Sequence, residues 1–281
     1  MSLLLAIILQ SASGNTGAMP NLPDDLIHRP PRSNTIEAPT NPTSAWLSEC
    51  LDQLDEDPAR AHSKAQIKRT ESTGADRVIA NHCLGLASTE LRLWDDAKTA
   101  FLAARDETPD DENSTRARFG TMAGNAALAG GDAETALALL TTARKDAGTA
   151  ASATLEALAA IDLARALVAL GQGEKALSAL NSANQLEPEM VDGWLYKATL
   201  LRRLDRLADA QAAIERAADL APINGQIALE AGVIAVLSGR EDAARQSWQS
   251  VIDAQPDSPA AQTAKGYLAQ IGPAPDTSLT P

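Results

Sequence analysis

Residues 173–188 read GEKALSALNSANQLEP, and the pattern returns as LADAQAAIERAADLAP at 207–222 and as EDAARQSWQSVIDAQP at 241–256. Successive copies are 34 residues apart. Each copy has an Ala at its fourth place, a large apolar residue at its eighth and a Pro at its sixteenth. The apolar spacing is that of an amphipathic helix, and Pro ends such a helix. The copies therefore predict three stacked units of one kind.

Within a unit, the sizes of the apolar residues predict how its two helices pack. Ala244 is small because the helices cross there, and Trp248 fills the wider space one turn further on. Gly232 gives the preceding helix a small residue facing this pair, and Ala164 and Ala198 hold its place in the two earlier units. One hairpin cannot bury its apolar face alone, so the units have to stack.

A period of 34 residues with Ala, a large apolar residue four places later and a closing Pro resembles the tetratricopeptide repeat (TPR). The resemblance implies an all-α fold, an alpha-alpha superhelix or TPR solenoid of about six helical hairpins plus a C-terminal capping helix. An apolar content of 44% with only 3% aromatic residues suits such closely packed helices. The helical repeat domain is expected over residues 43–271, with units near 42–75, 78–111, 117–150, 157–190, 191–224 and 225–258 and the cap at 258–271.

Two junctions depart from the regular period. Ala97 and Ala136 are 39 residues apart, and Ala136 and Ala176 are 40 apart. Extra residues are therefore expected around 106–114 and 145–152.

The N-terminus resembles a secretory signal peptide. Residues 3–9 are apolar and small residues follow, although no Lys or Arg precedes them. We predict a signal peptide over 1–18, a Pro-rich disordered linker over 19–42 and a disordered tail over 272–281. The protein would then be periplasmic or secreted, with no integral membrane segment in the mature chain, since the apolar run is too short to span a bilayer. The alternative is an apolar, disordered N-terminus on a cytoplasmic protein.

Cys50 and Cys83 fall on the first helices of the first two units. Adjacent first helices in a TPR array pack side by side, so the two cysteines can meet. In an exported protein a disulfide would join the divergent first unit to the array. Such a bond would stabilise the fold by about 3–4 kcal/mol through the entropy of the unfolded chain. The alternative is two buried free thiols.

Composition argues against several classes of function. The net charge of -13 and the pI of about 4.7 disfavour binding to nucleic acid. Only three His and two Cys are present, and we find no arrangement typical of a catalytic site or a metal site. We therefore expect a protein that is not an enzyme and that needs no cofactor and no metal.

The resemblance also implies where a ligand would bind, because TPR ligands usually lie against the first helices. The positions that contact ligands in the family correspond here to a polar set with three arginines: Asn125, Arg165, Thr199, Arg202 and Arg203. Arg suits carboxylate recognition, although these arginines could equally pair with neighbouring Asp and Glu. Residues 229–237 add an apolar strip that either belongs to the groove or packs against the cap.

These patterns favour a protein–protein interaction scaffold of the bacterial cell envelope, which binds a partner peptide or helix in a concave groove. A cytoplasmic TPR adaptor is the alternative if the N-terminus is not a signal. A non-catalytic subunit of an envelope enzyme complex is a further one.

Overall fold

A computed structural model describes residues 42–272, and the predicted signal peptide, linker and C-terminal tail lie outside these residues. Over this range the chain forms thirteen α-helices and no strand, which confirms the all-α fold. The helices are α1 (Pro42–Glu56), α2 (Pro58–Glu71), α3 (Ala75–Glu90), α4 (Trp94–Glu107), α5 (Asn113–Ala129), α6 (Ala133–Thr149), α7 (Ala153–Ala169), α8 (Gly173–Leu186), α9 (Val191–Arg203), α10 (Leu207–Leu220), α11 (Gly225–Leu237), α12 (Glu241–Ala254) and α13 (Pro259–Ile271).

The helices stack as six hairpins and one final helix. Each helix packs against the next along the chain. The first helices of most successive hairpins also contact one another, whereas the second helices of the described hairpins do not pack extensively on each other. The first helices (α1, α3, α5, α7, α9 and α11) therefore share the inner side of the array.

The turn inside five of the hairpins contains one residue in the left-handed region. Gly131, Gly171 and Gly239 adopt φ angles of 85°, 72° and 73°, and Arg92 and Asp205 adopt 57° and 58° at the equivalent places. Glycine is favoured there because it has no Cβ to clash with the backbone. The recurrence of one turn conformation gives these hairpins a common geometry.

The extra residues at the two irregular junctions mostly lengthen helices. Helices α5, α6 and α7 each have 17 residues, whereas α8 has 14 and α9 has 13. Helix α7 begins after Ser152, whose side chain accepts a hydrogen bond from the backbone N–H of Leu155. The expected insertion at 145–152 is thus largely helical, with only a short turn at residues 150–152.

Two arginines tie these longer helices to their neighbours. Arg105 on α4 pairs with Asp146 on α6 at 2.7 Å, and about 15% of each side chain is exposed. Arg144 on α6 pairs with Glu156 on α7 at 3.2 Å and donates a hydrogen bond to Ser182 on α8 at 2.7 Å. Both contacts link successive hairpins.

The core of each hairpin fits a large side chain against a small one. In the last hairpin Ala244 and Trp248 are buried, and a Cβ on Gly232 would overlap the Trp248 indole. The indole Nε1 also donates to the carbonyl oxygen of Leu229 at 3.1 Å. The same fit recurs at Gly124, where a Cβ would lie 2.6 Å from Leu140 Cγ.

The final helix, α13, covers the last hairpin. Ser258 caps it by accepting a hydrogen bond from the N–H of Ala261 at 3.1 Å. Ala261 and Ala264 are fully buried, and the ring of Tyr267 lies 5.1 Å from that of Trp248. None of the described helices has the length and apolarity needed to cross a membrane.

The first hairpin is joined to the second by Cys50 on α1 and Cys83 on α3. Their Cα atoms are 6.3 Å apart, and the structure links their Sγ atoms in a disulfide. Both residues are buried beside Ala61 and Ala65 of α2. That the bond forms in the native compartment stays a prediction.

Replacing Gly232 by Ala should destabilise the last hairpin, because the added methyl group displaces the Trp248 indole. Overpacking of this kind costs about 1–3 kcal/mol. The control is Gly266→Ala on α13, where no atom lies within 4 Å of the added Cβ. The control should be neutral or stabilising by about 0.5–1 kcal/mol, since Ala is the better helix former. Urea denaturation of both variants measures the difference, and equal stabilities would contradict the packing account.

Candidate ligand-binding groove

A groove lies between the first helices α7 and α9, with α8 beneath them. Its volume is about 200 Å³. The side chains around it are mainly apolar, with two arginines and two hydroxyl groups: Ala164, Arg165, Val168, Leu180, Tyr196, Thr199, Leu200 and Arg203. Leu180 is fully buried, so it forms the floor of the groove.

Arg203 is the free cation of this groove. Its side chain is exposed, and among residues 42–272 it has no ion-pair or hydrogen-bond partner. Thr199 and Tyr196 lie one and two turns before it on α9, so the three side chains share one face of the helix. The face is therefore polar at its C-terminal end and aromatic further back.

Arg165 enters the groove from α7 and is held by two partners. Its Nη1 donates to Asp162 Oδ1 at 2.8 Å and to Asn125 Oδ1 at 3.3 Å. The Asn125 Nδ2 in turn donates to Asp162 Oδ2 at 2.7 Å. This three-residue cluster joins α5 to α7 and fixes the position of the guanidinium group.

Arg202 is engaged elsewhere. Its guanidinium group contacts both carboxylate oxygens of Glu230 on α11, with Nε to Oε1 at 2.6 Å and Nη2 to Oε2 at 3.3 Å. Only 24% of the Arg202 side chain and 13% of the Glu230 side chain are exposed. Adjacent residues on a helix point about 100° apart, so Arg202 serves the α9–α11 contact while Arg203 faces α7.

The five predicted site residues therefore divide into three groups. Arg165, Thr199 and Arg203 line one groove. Asn125 supports Arg165 without lining the groove, and Arg202 is an ion-pair partner of α11. The expectation that all three arginines form one patch does not match this arrangement, because Glu230 draws Arg202 to the other side of α9.

Sequence reasoning missed Tyr196 and Val168, which also line the groove. Tyr196 is one of only two tyrosines in the chain, and 39% of it is exposed. It precedes Arg203 by seven residues, which places both side chains on one face of a helix. This spacing was a signal that could have identified it.

The apolar strip at residues 229–237 belongs mostly to the core. Leu229 is buried, and Val233 and Val236 pack in the cluster that includes Ala261 of the cap. Leu237 is the exception, with 54% of it exposed. The alternative of packing against the cap thus accounts for most of the strip.

His82 is packed as a core residue. Its ring lies 5.2 Å from that of Phe119 and 6.5 Å from that of Phe101. Burial lowers its pKa from the ordinary value of 6.5, because a charged imidazole would lose its hydration there. Within residues 42–272 we find no group of three His, Cys, Asp or Glu that could hold a metal ion.

Substitution of the two adjacent arginines should separate their roles. Arg202→Gln leaves the largely buried Glu230 carboxylate without its partner, which should lower the free energy of unfolding by about 1–3 kcal/mol. Arg203→Gln removes an exposed, unpaired group and should change it by less than about 0.5 kcal/mol. Urea denaturation of each single variant checks both values. A similar loss in both variants would show that Arg203 is also a structural partner.

Comparisons with known proteins agree with this geometry. Residues 161–222 and 195–259 each match a family model described as Tetratricopeptide repeat. No curated protein matches the chain.

Solved structures with the same fold include bacterial TPR proteins. PilW, described as a widely conserved type IV pilus biogenesis factor, is 15% identical with a TM-score of 0.63, over 79% of this chain and 98% of its own. PilF of Pseudomonas aeruginosa is 16% identical with a TM-score of 0.59, over 80% and 97%. A thermophilic TPR protein of Thermus thermophilus is 21% identical with a TM-score of 0.54, over 66% and 96%. The chain thus carries tetratricopeptide repeats over residues 161–259, within a helical array that has the fold of a solved TPR protein.

Proposed function

We propose that this protein is an interaction scaffold that docks a partner peptide in the groove between α7 and α9. One observation carries the proposal. The groove is lined mainly by apolar side chains on the inner side of the array, and it presents an arginine with no partner among the described residues. Pockets of this kind, apolar with a few convergent polar groups, are typical of binding sites. Stacked repeats use the same inner surface for recognition.

The lack of a side-chain bridge between α7 and α9 supports this choice of site. Asn125 and Asp162 link α5 to α7, and Arg202 and Glu230 link α9 to α11. Within the described part of the chain, no side-chain hydrogen bond or ion pair links α7 to α9. A ligand can therefore enter this position without first displacing a polar contact.

We further propose that the protein works in the bacterial cell envelope. The apolar run at residues 3–9, followed by small residues, supports export, and the Cys50–Cys83 pair suits an oxidising compartment. The likeness to PilW and to PilF is in fold alone, so it leaves the partner open.

Filling the groove should abolish capture of a partner. Thr199→Trp places an indole in the groove at a half-exposed position, so the array should stay folded. Thr142→Trp, at an exposed position on the second helix α6, is the matched control. Immobilised protein and both variants would be incubated with an envelope extract, and captured proteins quantified by mass spectrometry. A partner retained by Thr142→Trp and lost by Thr199→Trp is expected, and equal capture by both variants would exclude the groove.

Export can be measured independently of binding. Protein purified from its native host should have its N-terminus at Gly14 or Met19. Cys50 and Cys83 should resist thiol alkylation until a reductant is added. An intact N-terminus with both thiols reactive would favour a cytoplasmic adaptor and contradict the envelope proposal.

A further inference from the structure

We infer that the α7–α9 groove recognises a peptide in which a carboxylate stands directly beside an apolar side chain. The inference rests on the proposed function, because it names the chemistry of the peptide that the same groove would take. It follows from the two unlike halves of the groove: one half is cationic and the other is apolar.

The cationic half consists of Arg165 and Arg203. Arg203 has no partner among the described residues, and Arg165 uses Nη1 for Asp162 and Asn125 while 42% of its side chain remains exposed. Two guanidinium groups and one carboxylate leave a local positive charge in a chain whose net charge is -13. A ligand carboxylate would restore the balance by accepting charge-assisted hydrogen bonds.

The apolar half consists of Val168, Leu180, Leu200 and the ring of Tyr196. These side chains would gain nothing from a bare inorganic anion, whereas an aliphatic or aromatic side chain would bury its surface against them. The volume of about 200 Å³ admits side chains but not a whole helix, whose diameter is about 10–12 Å. The ligand is therefore an extended segment or one face of a partner that inserts its side chains.

The neighbouring ion pairs restrict which arginine can anchor the carboxylate. Arg202 is held by both oxygens of Glu230, so its charge is already balanced. Asp162 balances part of the charge on Arg165. Arg203 is left as the main anchor, with Arg165 held in place beside it.

A peptide display library tests the inference with a defined probe. Random twelve-residue peptides with free C-termini would be selected against the full chain, and selected peptides would be titrated by fluorescence anisotropy. We expect enrichment of Asp, Glu or the terminal carboxylate next to Leu, Ile, Val or Phe. Arg203→Gln should weaken these peptides roughly 10- to 100-fold, and Arg203→Lys should weaken them less. The control Arg216→Gln, a partly exposed residue on the second helix α10, should leave binding unchanged.

The outcomes separate the inference from the proposed function. Peptides that lose binding in Thr199→Trp, but show no acidic preference or ignore Arg203→Gln, would overturn the inference and leave the groove as a docking site. Selection of nothing, or of peptides indifferent to Thr199→Trp, would overturn both. A chain that sediments as a dimer, and as a monomer with Thr199→Trp, would identify a second copy as the occupant and also overturn the inference.

Discussion

The whole array depends on one contact, the fit of a large apolar side chain on the second helix against a small residue on the first. Gly232 faces Trp248, Gly124 faces Leu140, and a Cβ on either glycine would overlap its neighbour. Helices that pack this closely keep their axes near the lower end of the usual 8–10 Å range. Because each hairpin uses the same fit and nearly the same turn, the first helices fall side by side at regular positions. The inner surface is a consequence of that regularity.

What distinguishes one position on the inner surface from the next is how neighbouring first helices are joined. The Cys50 disulfide joins α1 to α3, the Asn125 amide joins α5 to α7, and the Arg202 ion pair joins α9 to α11. Between α3 and α5 the link is the aromatic contact of His82 with Phe119. The α7–α9 contact has no such side-chain link among the described residues, and the groove is found there. The surface available to a ligand is thus greatest where the array is least cross-linked.

The sequence predicted the helices well because their determinants are local and repeated. Ala, a large apolar residue and Pro at fixed spacing define each second helix, and Asp57–Pro58 and Ser258–Pro259 mark two helix starts. The site was predicted only in part, because its arrangement depends on contacts between units. Arg202 and Arg203 are neighbours of one chemical type, and only the position of Glu230, 28 residues away, separates their roles. No periodic pattern contains that information.

The 40-residue spacing between Ala136 and Ala176 shows how an irregularity can shape the binding surface. The extra residues become helical turns, so α7 has 17 residues where the facing helix α9 has 13. The surplus lies at the start of α7 and leaves Leu158 with 40% of its surface exposed. Leu158 precedes Arg165 by seven residues and therefore lies on the same face of α7. The longer helix thus extends the apolar side of the groove beyond the end of α9, where a peptide anchored at Arg203 would gain further contact.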